Sequence, residues 1–257
     1  MSADFHDKVV LVTGAGSGIG RAAAREFANR GALVYCADLN ERSLAETQGL
    51  IARDGGKAHI ARTDVSDEDD VAALLVRIDK EAGRLDVAFN NAGIVGGSHR
   101  IEDYPSADFD NVLRVNLRSI FLCMKYELPL MKRSGGGAIC NTASVAALTG
   151  PGGMCAYAAS KHGIHGLTRV ASMENGANNI RVNTVAPGWT ETPMVAAASA
   201  QNPAFAKQAV STLPARRGAQ PGEVAAAAVW LCSADASYVF GQMLVVDGGM
   251  TIGGFEL

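Results

Sequence analysis

Seven short apolar runs alternate with longer amphipathic stretches along this chain, and few folds accept that rhythm. The runs are Lys8–Thr13, Leu33–Ala37, Lys57–Ala61, Leu85–Asn90, Ala138–Thr142, Arg181–Ala186 and Met243–Val246. Helix candidates fill the intervals at Gly18–Asn29, Glu41–Arg53, Glu68–Glu81, Ser106–Lys132, Cys155–Glu174 and Gly222–Cys232. The runs are nearly continuous apolar segments, the pattern of parallel strands covered on both faces. Parallel strands joined through helices require right-handed crossovers. The sequence therefore predicts an α/β fold: a doubly wound parallel sheet of seven strands with helices on both faces. A length of 257 residues suits one such domain spanning 1–257, with no repeat or linker to divide it. The stretch Trp189–Gln220 breaks the rhythm. It carries Pro193, Pro203 and Pro214 together with Met194, Val195, Phe205, Val210 and Leu213, and reads as a helical substrate lid.

Composition narrows the function. The chain has 23 Lys+Arg against 26 Asp+Glu, a net charge of −3, so it lacks the basic footprint of a nucleic-acid binder. Its longest apolar run, Val224–Cys232, is far short of the roughly 20 residues a membrane-spanning helix needs. Asp4 and Asp7 ahead of the brief Val9–Val12 run do not make an export signal. Five cysteines, an odd number without a CxxC pair, read as reduced thiols of a cytoplasmic protein.

The first strand leads directly into Thr13-Gly14-Ala15-Gly16-Ser17-Gly18-Ile19-Gly20 and an Ala-rich helix. Glycines let backbone approach a pyrophosphate, and a helix start presents free N–H groups and a positive dipole end. The spacing fits GxxxGxG (Gly14, Gly18, Gly20), with Ile19 and Arg21 where the commoner GxGxxG would place its third glycine. Asp38 closes the second strand, where a carboxylate can accept from a ribose diol and repel a 2′-phosphate. Ser17 and Leu39, the positions for a compensating cation, are uncharged, so NAD is favoured over NADP. Asp64-Val65 ends the third strand, and Asp64 is placed to meet the adenine edge. The acids that follow, Asp67 to Asp70, read as the first turn of a helix capped by Ser66 and not as a metal loop.

Tyr157 and Lys161, four apart on a helix, share a face, and Ser144 ends the fifth strand thirteen residues earlier. Both belong at the carboxyl edge of the sheet, where open α/β folds bind ligands. A phenol with a pKa near 10 is about one part in a thousand ionised at neutral pH. A neighbouring ammonium favours the phenolate, so Lys161, with any positively charged nicotinamide, is expected to bring Tyr157 into the range of a general acid/base, with Ser144 holding the reacting oxygen.

Taken together, these motifs resemble the short-chain dehydrogenase/reductase family in its compact form of about 250 residues, a Rossmann-like fold. The resemblance runs through Thr13–Gly20, Asp64-Val65, Asn90-Asn91-Ala92-Gly93, Asn116, Ser144, Tyr157-x-x-x-Lys161, Pro187-Gly188 and Asp247-Gly248-Gly249. It implies Tyr157 as acid/base, Ser144 as substrate anchor, Lys161 on the nicotinamide ribose, and Asn116 supporting a water that links Lys161 to solvent. It also implies an adenosine and ribose wall of Asn91, Ala92 and Gly93, and a nicotinamide contact from Pro187, Gly188, Trp189, Thr190 and Thr192. Thr190 departs from the Ile or Val frequent among relatives. A homotetramer built on the Ser106–Lys132 and Tyr157 helices is likewise implied, with burial under the lid as the competing use of their apolar surface.

The expected activity is NAD-dependent interconversion of a secondary alcohol and a ketone. Ile94, Val95, Ala146, Ala147, Met154, Trp189 and Met194, with room at Gly152 and Gly153, suggest a small apolar or cyclic substrate. A 3-oxoacyl-thioester reductase is the enzymatic alternative, and a dinucleotide-binding regulatory protein the non-enzymatic one. His162 and His165 read as packing or interface residues, Arg216 and Arg217 as a solvated pair, and no metal is expected.

Overall fold

A computed structural model describes residues 5–201, 207 and 209–252. Pro203 and Phe205 of the expected lid lie outside the described residues. The strands are β1 (Val9–Thr13), β2 (Leu33–Asp38), β3 (Lys57–Arg62), β4 (Val87–Asn90), β5 (Gly137–Thr142), β6 (Ile180–Pro187) and β7 (Met243–Val246). The helices are α1 (Gly18–Asn29), α2 (Glu41–Arg53), α3 (Glu68–Ala82), α4 (Ser106–Leu113), α5 (Ser119–Arg133), α6 (Cys155–Asn175), α7 (Pro193–Gln201) and α8 (Pro221–Cys232).

All seven strands pair in parallel in the order β3-β2-β1-β4-β5-β6-β7. The chain crosses from one half of the sheet to the other between β3 and β4. This opens a crevice at the carboxyl ends of β1 and β4, the switch point where such sheets take ligands. β1 shows why its sequence is uninterrupted Val-Val-Leu-Val-Thr, for every residue is buried. Leu11 packs into one hydrophobic cluster with Tyr35, Ile78, Ile139 and Ile164. Its neighbours Val10 and Val12 enter the other, with Phe27, Leu44, Phe89 and Val229. Successive side chains of a strand face opposite ways, so two helical layers need two apolar sets. Each fully buried aliphatic side chain contributes about 1.5–3 kcal/mol.

Three local expectations need correction. β3 is an edge strand whose burial alternates, with Lys57, His59 and Arg62 exposed, because only β2 pairs with it. The cap of α3 is Asp67, whose carboxylate accepts from the N–H groups of Asp69 and Asp70; Ser66 is turned instead toward Asp64. Ser106–Lys132 is not one regular helix. A π-helical segment, Arg114–Arg118, separates α4 from α5. The wider turn carries Asn116, whose amide closes two hydrogen bonds with the Ile94 backbone, one from Ile94 N and one to Ile94 O, each 2.8 Å. Such interruptions recur at functional sites.

Candidate active site

The glycine turn is shaped by close approach. Gly14 has φ +65°, and a Cβ there would stand 2.9 Å from Asn91 Nδ2. A Cβ on Gly20 would lie 2.1 Å from the Gly14 carbonyl oxygen, and one on Gly16 would lie 2.9 Å from Asp38 Oδ2. No side chain heavier than hydrogen fits at Gly20 without moving backbone. Ser17, the N-cap of α1, makes no side-chain capping bond, which leaves the first-turn N–H groups of α1 without that partner. Asp38 Oδ2 accepts from Gly16 N at 3.0 Å and Oδ1 from Asn40 N at 3.0 Å, so the carboxylate sits against the turn.

Across the crevice, Lys161 is 4% exposed. Its Nζ donates to the Thr142 carbonyl at 2.9 Å and lies 5.4 Å from the centre of the Tyr157 ring. Ser144 Oγ accepts from Ala146 N at 3.2 Å and lies 3.5 Å from the Pro187 carbonyl oxygen. Asn116 is fully buried, and its amide nitrogen also reaches Ser160 Oγ at 3.2 Å on α6. A Cβ on Gly93 would stand 3.1 Å from Asn116 Oδ1 and 3.7 Å from Lys161 Nζ, which explains the glycine.

The electrostatics depart from expectation. Burial pushes the Tyr157 phenol above its ordinary value, and contact with the Ser144 hydroxyl draws it back only in part. Burial pushes Lys161 down from 10.5 to about 8. An ammonium that is itself desolvated and spent on a carbonyl does not acidify the phenol in this structure. At neutral pH the phenol therefore keeps its proton.

One cleft of about 540 Å³ gathers nearly all the expected positions. Gly14, Ser17, Gly18, Ile19, Asp38, Leu39, Asp64, Val65, Asn91, Ala92, Gly93, Ser144, Tyr157, Lys161, Pro187, Gly188, Thr190, Thr192, Ile94 and Met194 all line it. Seven expected pocket positions are not among its lining residues. Trp189 packs its ring edge against Gly218, 2.9 Å from where a Cβ would stand, and its carbonyl accepts from Ala219 N. Ala146 is buried in a 3-10 turn, and Met154 is the half-buried cap of α6. Val95 also lies outside the lining, with Ala147, Gly152 and Gly153. Thr63, Asn111, Arg114, Val115, Thr142 and Ala143 line the cleft unforeseen, and Pro193 and Val195 of the expected lid line it too. Thr142 and Ala143 directly precede Ser144, so the strand end itself was the available signal.

The residues present fit a dinucleotide. Glycines clear the approach to a helix start without a side-chain cap, and acidic acceptors stand at the end of β2 (Asp38) and just past the end of β3 (Asp64). Among the described residues no three His, Cys, Asp or Glu side chains gather as metal ligands. His162 Nδ1 is 2.9 Å from the Ala158 carbonyl oxygen, within its own helix. Arg217 is paired with Glu223 at 2.6 Å, not merely solvated.

Comparison with known proteins agrees with this geometry. A family model described as enoyl-(acyl carrier protein) reductase matches residues 14–251. The cis-4-hydroxycyclohexanecarboxylate dehydrogenase of Sinomonas cyclohexanicum is 42% identical over 252 residues, covering 98% of this chain and 99% of that protein. The crystal structure of levodione reductase superposes with a TM-score of 0.94 at 37% identity, covering 97% of this chain and 100% of that one. A structure of NAD+-bound xylitol dehydrogenase superposes with a TM-score of 0.91 at 32% identity, covering 95% and 99%. The chain belongs to the short-chain dehydrogenase/reductase family. It is an enzyme of that family, an oxidoreductase acting on CH–OH groups.

Proposed function

We propose that the chain interconverts a secondary alcohol and a ketone with NAD, on a small apolar or cyclic substrate. The observation that carries this reading is the placement of Ser144, Tyr157 and Lys161 on the wall of the cleft that also holds the glycine turn and Asp38. A bound nicotinamide would supply or take up the hydride. Ser144 would hold the substrate oxygen. Tyr157, protonated at rest, would give its proton to that oxygen in reduction and recover it in oxidation, so oxidation gains as pH rises. Lys161 would bind the nicotinamide ribose from its seat on the Thr142 carbonyl. Asn116 would support a water that links Lys161 to solvent, and its bonds to the Ile94 backbone and Ser160 lock α6 against the cleft.

Asp38 supports NAD over NADP by repelling a 2′-phosphate. Ile94, Pro193, Met194 and Val195 supply an apolar end of the cleft. The hydroxycyclohexane relative supports a cyclic substrate. A 3-oxoacyl-thioester reductase is the second reading, favoured by the description of the matched family model. Only Arg114 and Lys161 supply cations among the lining residues, a poor mouth for an anionic carrier protein. A dinucleotide-binding regulator would have no use for the Tyr157–Lys161 pair.

Residues 1–257 would act as one catalytic domain with 189–220 as its lid, since Pro193, Met194 and Val195 of that stretch reach the cleft. Four of the five free cysteines are buried and Cys155 is half-buried, which supports a cytoplasmic setting. No described helix is long and apolar enough to cross a membrane. The groove of Leu113, Leu117, Phe121 and Leu167 includes none of the described lid residues, which supports pairing between copies and a homotetramer over burial under the lid.

The test is turnover of cyclic secondary alcohols with NAD, in wild type and Tyr157→Phe. The variant should retain NADH binding and lose about 10²–10⁴-fold in turnover. Turnover that survives the substitution unchanged would overturn the assignment.

A further inference from the structure

We propose that Arg114 is a positioning residue for adenine: acting through Ser66, it commits one oxygen of Asp64 to the protein and leaves the other for the adenine amine. The inference rests on the dinucleotide reading above and on Asp64 as the adenine acceptor. Ser66 is 2% exposed. Its backbone N–H and its hydroxyl both donate to Asp64 Oδ1, at 2.9 and 2.5 Å. The same hydroxyl oxygen accepts from Arg114 Nη1. Arg114 Nη2 is steadied by Asn111 Oδ1 at 3.0 Å, and Arg118 holds the loop by donating to the Ser66 carbonyl at 2.7 Å.

The direction of this chain follows from chemistry. A guanidinium has five donors and no acceptor, and a serine hydroxyl has a single proton. With Arg114 donating to it, Ser66 must send its proton to Asp64. Oδ1 is then satisfied twice, while Oδ2 has no hydrogen-bond partner among the described residues. Burial pushes the Asp64 carboxyl up, but the Ser66 bonds and the charges of Arg114 and Arg62 outweigh it and hold the group below its ordinary range. An ionised carboxylate is acceptor-only. It stands in the cleft one strand outward from Asp38, beside Thr63, Val65 and Val115.

Adenine presents an exocyclic amine, a donor, whereas hypoxanthine carries a carbonyl there. An oriented carboxylate prefers the first and repels the second. The probes are NADH and reduced nicotinamide hypoxanthine dinucleotide, with binding to the protein alone read from nicotinamide fluorescence. Wild type should bind NADH at least about tenfold more tightly than the hypoxanthine analogue, the scale of one charge-assisted hydrogen bond. Arg114→Met and Ser66→Ala should each cut that ratio severalfold, chiefly by weakening NADH. Arg114→Lys, which keeps a donor-only cation, should retain most of it. A misfolded variant would lose both probes alike, and the remaining two variants then decide. If wild type discriminates and both Arg114→Met and Ser66→Ala keep the full ratio, the positioning role is overturned. If wild type binds both probes equally, Asp64 is not the adenine acceptor and the proposal falls with it. If neither probe binds to wild type, the dinucleotide reading fails.

Discussion

Glu127 should make the stability of this protein fall as pH rises toward neutrality. It lies on α5, wholly buried, with Oε2 accepting from Asn90 Nδ2 at 3.0 Å. The same Asn90 nitrogen reaches Asn141 Oδ1 at 3.1 Å across the β4–β5 pairing. Glu127 Oε1 and Asn90 Oδ1 are buried without a hydrogen-bond partner among the described residues. Burial pushes the Glu127 carboxyl up from 4.5 to about 7, against the pull of the Asn90 bond. Between those values the unfolded chain has released the proton and the folded chain still holds it. Stability from this residue therefore declines from about pH 4.5 to about pH 7 and then levels off. The gap corresponds to about 3 kcal/mol at most. Glu127→Gln imitates the protonated acid and removes the dependence. Urea unfolding of both proteins at pH 5, 6, 7 and 8, at one protein concentration, measures it. The variant's advantage should grow by about 2–3 kcal/mol from pH 5 to pH 8. A constant difference across that range would refute the reasoning, whatever its size.

Other outcomes follow from the same geometry. Asp38→Ala with Leu39→Arg should raise the NADP-to-NAD affinity ratio by at least about tenfold, read by fluorescence titration, since a repulsive carboxylate gives way to a phosphate partner. Lys161 sits at about 8 when folded against 10.5 when free, so the unfolded chain holds the extra proton between them. Its contribution to stability should rise by up to about 3 kcal/mol from pH 8 to 10.5, and Lys161→Met should flatten that rise in urea titrations. Gly14→Ala should cost more than about 1 kcal/mol in unfolding free energy and abolish NADH binding, because positive φ and the Asn91 clash coincide.

The sheet was legible because parallel strands under two helical layers leave a near-continuous apolar signature, and β1 and β4 are buried at every residue. β3 escaped the pattern because an edge strand needs only partial cover. Motif positions of the cleft were legible because glycines, Asp38 and Tyr157 are each dictated by local chemistry. Trp189 misled, since a large aromatic beside a site motif is equally useful packing on a glycine such as Gly218. Arg114 and Val115 were invisible for a geometric reason. They lie on a wide π turn, and a regular helical repeat assigns the wrong faces there. For Tyr157 the sequence reveals the cation nearby but not how thoroughly both groups are withdrawn from water.

The amine of Lys161 hangs from a peptide carbonyl, that of Thr142, and not from another side chain. Every residue type offers the same oxygen, so no point mutation at that position deletes the tether. Only a slip in strand alignment would displace it. The proton-handling corner is therefore inherited with the backbone itself, and a segment such as 94–105 is free to drift toward new substrates without dismantling it.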